Sequence, residues 1–283
     1  MKLIAIDLNG TLLNKKNQIS KKNIEAIKTA QKKGIEIAIV TGRAHFNVHS
    51  ILKNAGISAW IIGANGATIH DKKGTLLHAK SIKKNDAKEI LDYFAEHNMY
   101  YEVFSGQVIY TPQNGRDLLT IEMFKLKNAN PKINLKVFQE AAERQFSQGK
   151  FEFVSSHLDI LDKTNEFYNF LGFSFYREKI NDGWQYFEQK RELATASLAK
   201  HLFELTHSDV SKGCAVRYLA GKLNIEREDI IAIGDHYNDL PMFESAGLRI
   251  AMGNSVQDIK SCAHHITLSN DEDGVAHIMK LLI

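Results

Sequence analysis

Short apolar runs that stop abruptly at a polar residue beside a glycine limit what this chain can fold into more than any other feature. Residues 3–6 (LIAI) run into Asp7, with Gly10 and Thr11 close behind, and residues 35–40 (IEIAIV) run into Thr41-Gly42-Arg43. Residues 59–62 lead to Gly63-Ala64-Asn65-Gly66, and residues 230–233 to Gly234-Asp235. An unbroken apolar run of strand length is what a strand buried on both faces requires. Helical spacing lies between the runs: Ser20 can cap a stretch in which Ile24 and Ile27 share a face and Gly34 closes the turn. Strands alternating with helices read as a parallel, doubly wound α/β sheet. Ligands in such a sheet bind beyond the carboxyl ends of the strands. Asp7 is therefore either presented to a ligand or a cap on the turn that follows it.

The alternation is interrupted. After a hairpin over residues 67–77 that turns near Gly74, the chain enters a long segment holding all but Phe46 and Phe243 of its fifteen phenylalanines. Helices are expected near residues 87–97, 116–127, 137–148 and 177–189, and strands at 100–104, 108–110, 168–175 and 202–205. That mixture reads as a separate α+β domain with its own core. From about residue 207 the alternation resumes, with strands at 230–233, 248–251 and 266–268. The expectation is one α/β domain of residues 1–81 and 207–283, interrupted by an inserted domain at 82–206.

Composition excludes more than it assigns. The 283 residues are 44% hydrophobic and 24% charged, with a net charge of +3, which is ordinary for a globular chain with a sizeable core. The lysine pairs are scattered, so charge makes no case for nucleic acid or a membrane surface. No apolar run approaches the ~18 residues of a membrane span, and the first strand lacks the cleavage site of a signal peptide. A cytoplasmic protein is expected, with no obligate protein partner evident. Cys214 and Cys262 are too few for a disulfide framework and, among apolar neighbours, read as buried free thiols. His264 and His265, adjacent in an expected strand, would face opposite ways and so not share a metal.

Four polar stretches remain: Asp7-Leu8-Asn9-Gly10-Thr11, Thr41-Gly42-Arg43, Ser211-Lys212-Gly213 and Gly234-Asp235-His236-Tyr237-Asn238-Asp239. Three Asp, a Thr, a Lys and an Asn in glycine-containing turns suit a phosphoryl group and a hard divalent cation. Mg²⁺ takes oxygen ligands, keeps several waters and needs one or two carboxylates, which Asp7 and Asp235 supply, with Asp239 on a metal-bound water. Lys212 would neutralise phosphoryl oxygens while Thr41 and Asn238 donate hydrogen bonds to them. A carboxylate nucleophile would split the displacement into two steps through an aspartyl-phosphate. A P-loop kinase is excluded for want of its Gly-x₄-Gly-Lys signature.

The order of these stretches resembles the haloacid dehalogenase superfamily, and within it the Cof-type phosphatases, with a large cap inserted after the second motif. The segments IDLNGTLL, VTGR, ANGA, SKGCAV, GDHYNDLPMFESAG, AMGN and DEDGVAH carry the resemblance over nearly the whole chain. It implies a Rossmann-like parallel-sheet core, an α+β cap that sets substrate specificity, and Mg²⁺-dependent hydrolysis of a small phosphorylated metabolite. Asp7 would be the nucleophile. Asp7, Asp235 and the backbone carbonyl of Asn9 would ligate Mg²⁺, and Thr41, Gly42, Lys212 and Asn238 would hold phosphate. Asp239 would order the metal's water or Lys212.

The family's pattern has Asp where this chain has Asn9, at the position that protonates the leaving oxygen and then activates water. An amide cannot shuttle that proton, so turnover is expected to be impaired while metal and phosphate binding survive. Engineering, natural specialisation and a cloning change are all open as its origin. Asn9-Gly10 is also a dipeptide in which the flexible Gly lets the next amide attack Asn, so slow deamidation would restore some aspartate. Asn65 is placed to reach substrate; Arg43 reads as a loop contact before a substrate contact; His236 either edges the site or caps its loop. The inserted segment's aromatics read as core. The competing function is a phospholigand sensor without turnover. A phosphoacceptor receiver domain is disfavoured by the large insert.

Overall fold

The computed structural model describes residues 2–146 and 149–282. It divides into two compact units, Met1–Ala79 with Asp209–Ile283, and Lys80–Ser208. The first opens with β1 (Leu3–Asp7), α1 (Lys21–Lys32), β2 (Glu36–Val40), α2 (His45–Ala55), β3 (Trp60–Gly63), β4 (Thr68–His70) and β5 (Leu76–Ala79). The second contains α3 (Lys84–Glu96), β6 (Tyr100–Ser105), β7 (Val108–Pro112), α4 (Gly115–Ala129), α5 (Leu135–Phe146) and β8 (Phe151–Val154). It continues with α6 (Leu158–Lys163), β9 (Asn169–Phe173), α7 (Arg177–Glu188), β10 (Leu193–Ala199) and β11 (Leu202–His207). The first unit then resumes with α8 (Lys212–Lys222), β12 (Ile230–Gly234), α9 (Leu240–Glu244), β13 (Leu248–Ala251), α10 (Gln257–Cys262), β14 (His265–Ile266) and α11 (Gly274–Leu282).

The sheet of the first unit has the order β14-β13-β12-β1-β2-β3-β4-β5, parallel as far as β3 and antiparallel through the β4–β5 hairpin. Its two faces differ in size. Ile4, Ile6, Ile37, Ile39 and Ile233 pack against α1, α2 and α11. Ala5, Ala38 and Ala232 on the opposite face pack with residues of α8 and α9, and their small side chains let α8 lie close to the strand ends. Both faces are covered, as the unbroken apolar runs require.

The second unit has a six-stranded sheet, β10-β11-β9-β6-β7-β8, antiparallel except for the β7–β8 pair. One face buries Tyr101, Val103, Phe170 and Phe203 with α3 and α7; the other packs Tyr100, Leu171 and Phe173 with α4 and α5. Its aromatics are largely core, with Phe124, Phe153 and Tyr186 exposed.

Several expectations need correction. The inserted segment also forms β8, α6 and β10, which short, mixed sequence runs did not announce. The helix end expected at residue 148 lies outside the described residues. The last strand spans His265–Ile266 rather than 266–268, because after Thr267 pairs with Ala251 its hydroxyl turns to the Gly274 carbonyl. His264 therefore lies outside that strand and contacts Arg249 instead. The thiols are free but not buried: Cys214 is half-buried and Cys262 exposed. Their apolar neighbours Ala215, Val216 and Ile259 turn inward, and apolar sequence context alone does not say which way a helical side chain points.

Candidate active site

Because β1, β2, β3 and β12 run parallel, their carboxyl ends deliver their loops to one edge of the sheet. Lys212 stands at the centre. Ser211 caps α8 by accepting the Cys214 N–H at 3.1 Å, which sets where Lys212 leaves the helix. The Lys212 ammonium, 2% exposed, donates to Asp7 Oδ1 and to Asp239 Oδ1, each at 2.6 Å. The other oxygen of Asp239 accepts the backbone N–H groups of Asp235 at 2.9 Å and His236 at 3.1 Å. Asp235 Oδ1 accepts the Thr11 hydroxyl at 2.9 Å.

Two glycines make this closeness feasible. Gly10, at φ +79°, lies against Asp235, and a Cβ there would stand 2.4 Å from its Oδ2; one on Gly234 would stand 2.5 Å from Asp239 Oδ2. Asn254 holds the first loop from outside, donating to the Gly10 carbonyl at 2.8 Å, and Asn270 donates to the Leu13 carbonyl at 2.8 Å.

Negative charge is in surplus here. Burial pushes the Asp7 carboxyl well above its ordinary value; Lys212 opposes the shift, and Asp239 and Asp235 add to it. Burial and Asp239 likewise raise Asp235. Burial works against the Lys212 ammonium, but Asp239 and Asp7 outweigh it and hold its pKa above that of an ordinary lysine. Asp7, Asp235 and Asp239 offer oxygens within 4.8 Å of one another, a hard-donor set whose excess charge fits a divalent cation.

Asn9 is exposed, and its side-chain oxygen accepts both Nε of Arg43 at 3.0 Å and Nη2 at 2.5 Å. A guanidinium carries only donors, so it fixes Oδ1 toward itself and turns the Asn9 amide nitrogen the other way. Thr41 is buried and its hydroxyl accepts the Arg43 N–H at 3.2 Å, which leaves that hydroxyl's own proton to donate. Asn238 Nδ2 donates to Asn65 Oδ1 at 3.3 Å, and Asn65 is held at φ +54°. His236 caps the short turn that carries Asp239.

Residues 4–279 match the family model of the haloacid dehalogenase-like hydrolases. The chain belongs to the haloacid dehalogenase-like hydrolase family. This hydrolase is 50% identical to the Bacillus subtilis phosphatase YwpJ over the full length of both chains. It is 40% identical to the 5-amino-6-(5-phospho-D-ribitylamino)uracil phosphatase YwtE of the same organism, over all of this chain and 98% of that one. A solved haloacid dehalogenase-like hydrolase from B. subtilis superposes with a TM-score of 0.88 at 50% identity, covering both chains completely.

The hydrolase has Asp7 at the end of β1, Lys212 at the start of α8, and Asn9, Thr41, Gly42, Asn65, Asp235, Asn238 and Asp239 in the turns that follow β1, β2, β3 and β12. The reading from sequence missed three supports. Thr11 appeared only as a turn residue, although its place right after Gly10 was the available signal; Asn254 lay inside AMGN without a role, and Asn270 lay just before DEDGVAH.

Proposed function

We propose that this hydrolase removes phosphate from small phosphate monoesters. The observation that carries the reading is Lys212 joining Asp7 and Asp239 at 2.6 Å beside Asp235. Mg²⁺ would be held by Asp7, Asp235 and the backbone carbonyl of Asn9, with Asp239 acting on it through water or through Lys212. Bound there, the ion would supply neutralisation of the phosphoryl oxygens. The Asp7 oxygen that does not face Lys212 attacks phosphorus, the bond to the leaving oxygen breaks, and an aspartyl-phosphate forms; water then cleaves it and restores Asp7. Lys212 spreads positive charge over the phosphoryl oxygens, and Thr41, Gly42, Asn65 and Asn238 hold the phosphate by hydrogen bonds. The Lys80–Ser208 unit serves as the cap that selects substrate. Cytoplasmic sugar phosphates and similar metabolites are the proposed class; the name of the relative YwtE, a phospho-ribityl compound's phosphatase, supports a polyol-bearing ester.

Asn9 limits this chemistry. General acid–base catalysis is commonly worth about 10²–10⁴-fold, roughly 3–5.5 kcal/mol of barrier. The test is Asn9→Asp, assayed with Mg²⁺ on alkyl phosphates and on p-nitrophenyl phosphate. A gain of about 10²–10⁴-fold on alkyl esters, and a smaller one on the aryl ester with its better leaving group, is expected. Equal gains across leaving groups would overturn the account of Asn9. The Arg43 contact favours a second reading, because it leaves Asn9 presenting an amide donor that binds ligand without transferring a proton. An Asn9→Asp variant that stays silent while binding phosphate would favour that sensor.

A further inference from the structure

The chain contains three Asn-Gly steps, at Asn9, Asn65 and Asn114, and the fold treats them differently. Loss of the side-chain amide at such a step begins when the backbone nitrogen of the glycine, having given up its proton, attacks Cγ of the asparagine. A five-membered succinimide closes and ammonia leaves. Water then opens the ring at either carbonyl, giving aspartate or its backbone isomer; the sum is amide plus water to acid plus ammonia. The step needs solvent, a following residue free to rotate, and stabilisation of the oxyanion formed on Oδ1.

Asn65 lacks the first: it is 2% exposed, with Oδ1 facing Asn238. Asn114 lacks the second. Its glycine is the buried first residue of α4, so that peptide can rotate only if the helix opens. Asn9 has all three. It is exposed, and Gly10 has the left-handed φ and missing Cβ that let the peptide turn. The Asn254 anchor grips the Gly10 carbonyl, which belongs to the next peptide plane. Above all, two N–H groups of one guanidinium already converge on Asn9 Oδ1, where the negative charge of the tetrahedral intermediate develops; preplaced charged donors at such an oxygen are strong promoters.

We propose that Asn9 is a self-modification site, converted to a carboxylate in the folded protein by its own backbone with Arg43 as the activating residue. The consequence for turnover rests on the reading of position 9 given above; the modification itself does not.

The experiment incubates freshly purified, folded protein at mildly alkaline pH. The three Asn-Gly peptides are followed by mass after digestion, and p-nitrophenyl phosphate hydrolysis is measured on the same aliquots. The Asn9 peptide is expected to gain the mass of amide-to-acid conversion severalfold faster than those of Asn65 and Asn114. Its rate should fall severalfold in Arg43→Ala, less in Arg43→Lys, and nearly to nothing in Gly10→Ala. Conversion at Asn9 no faster than at Asn114, or an unchanged rate in Arg43→Ala, would overturn the proposal. Conversion accompanied by rising activity supports both the modification and the catalytic reading of position 9. Conversion to aspartate without rising activity supports the modification and removes that catalytic reading.

Discussion

Each compact unit buries carboxyl groups, and two clusters, one in each unit, meet them with different partners. In the parallel-sheet unit, Asp7 and Asp239 meet the Lys212 ammonium at 2.6 Å, with Asp235 beside them. In the other unit, Glu102 on β6 is fully buried and receives the Tyr100 hydroxyl at 2.7 Å and the Gln145 amide at 2.9 Å. Those donors are neutral. Burial lifts Glu102 to about 8 despite both hydrogen bonds, and nearby Glu204 adds to the shift, so at neutral pH it keeps a proton. One cluster has an ammonium at its centre that opposes the protonation burial favours at Asp7; the other becomes a neutral strut within a sheet face. Burial is common to both, and the partner decides which behaviour follows.

Removing the ammonium should separate the two most sharply. Lys212→Met, made in the Asn9→Asp background so that turnover is measurable, is expected to lower kcat by about 10²–10³-fold or more, as loss of a preorganised transition-state donor does. It also leaves two buried carboxylates without their partner, a change worth ~3–5 kcal/mol of stability, read as a shift in the urea midpoint. Lys212→Arg restores the charge but not the fit, so it should recover stability more than turnover. Unchanged kcat in both variants would end the view that Lys212 organises the site.

A smaller effect is expected from Gly10→Ala. The left-handed φ of Gly10 costs a side chain ~1–2 kcal/mol, and the added methyl meets the Asp235 carboxylate at 2.4 Å. Displacing Asp235 should raise the Mg²⁺ concentration for half-maximal activity by about tenfold, the effect of ~1.4 kcal/mol on a binding constant, while saturating Mg²⁺ restores much of the rate. An unaltered Mg²⁺ response would mean that Asp235 is not held by its packing on Gly10.

The same contrast explains what could be read from sequence. In the first unit Asp7, Thr41 and Asp235 each end or follow a strand whose apolar run is continuous, so they advertise both the strand and its carboxyl end. Lys212 was legible through the glycine-containing stretch Ser211-Lys212-Gly213. The Arg43–Asn9 contact was not, because two loops 34 residues apart meet only through the parallel pairing of β1 with β2. Glu102 was invisible for another reason. A charged residue alternating with apolar ones in a strand reads as a solvated face, yet α4 and α5 cover much of that face here. Short elements such as β8 and α6 lacked enough period to register at all.

Near pH 5 the mildest change should be Glu102→Gln, and its value lies in pH dependence. Glu102 has an unperturbed value of 4.5 and a folded value of about 8, so the native state holds its proton more tightly than the unfolded chain. Below 4.5 both states are protonated, and the full stability of the buried neutral acid is present. Between 4.5 and 8 the unfolded chain releases the proton while the fold retains it, so stability falls by up to ~1.4 kcal/mol per pH unit. Above 8 both states are ionised and the loss is complete. Glutamine mimics the protonated acid and has nothing to titrate. Near pH 5 the two proteins should therefore differ by about 1 kcal/mol or less, the scale of one altered hydrogen bond. By pH 8 the variant should be the more stable by a few kcal/mol. Urea midpoints at several pH values test this, since every other titrating group is common to both chains and cancels in the difference. Parallel curves would show that Glu102 is ionised in the fold at neutral pH, and the contrast between the two clusters would fail.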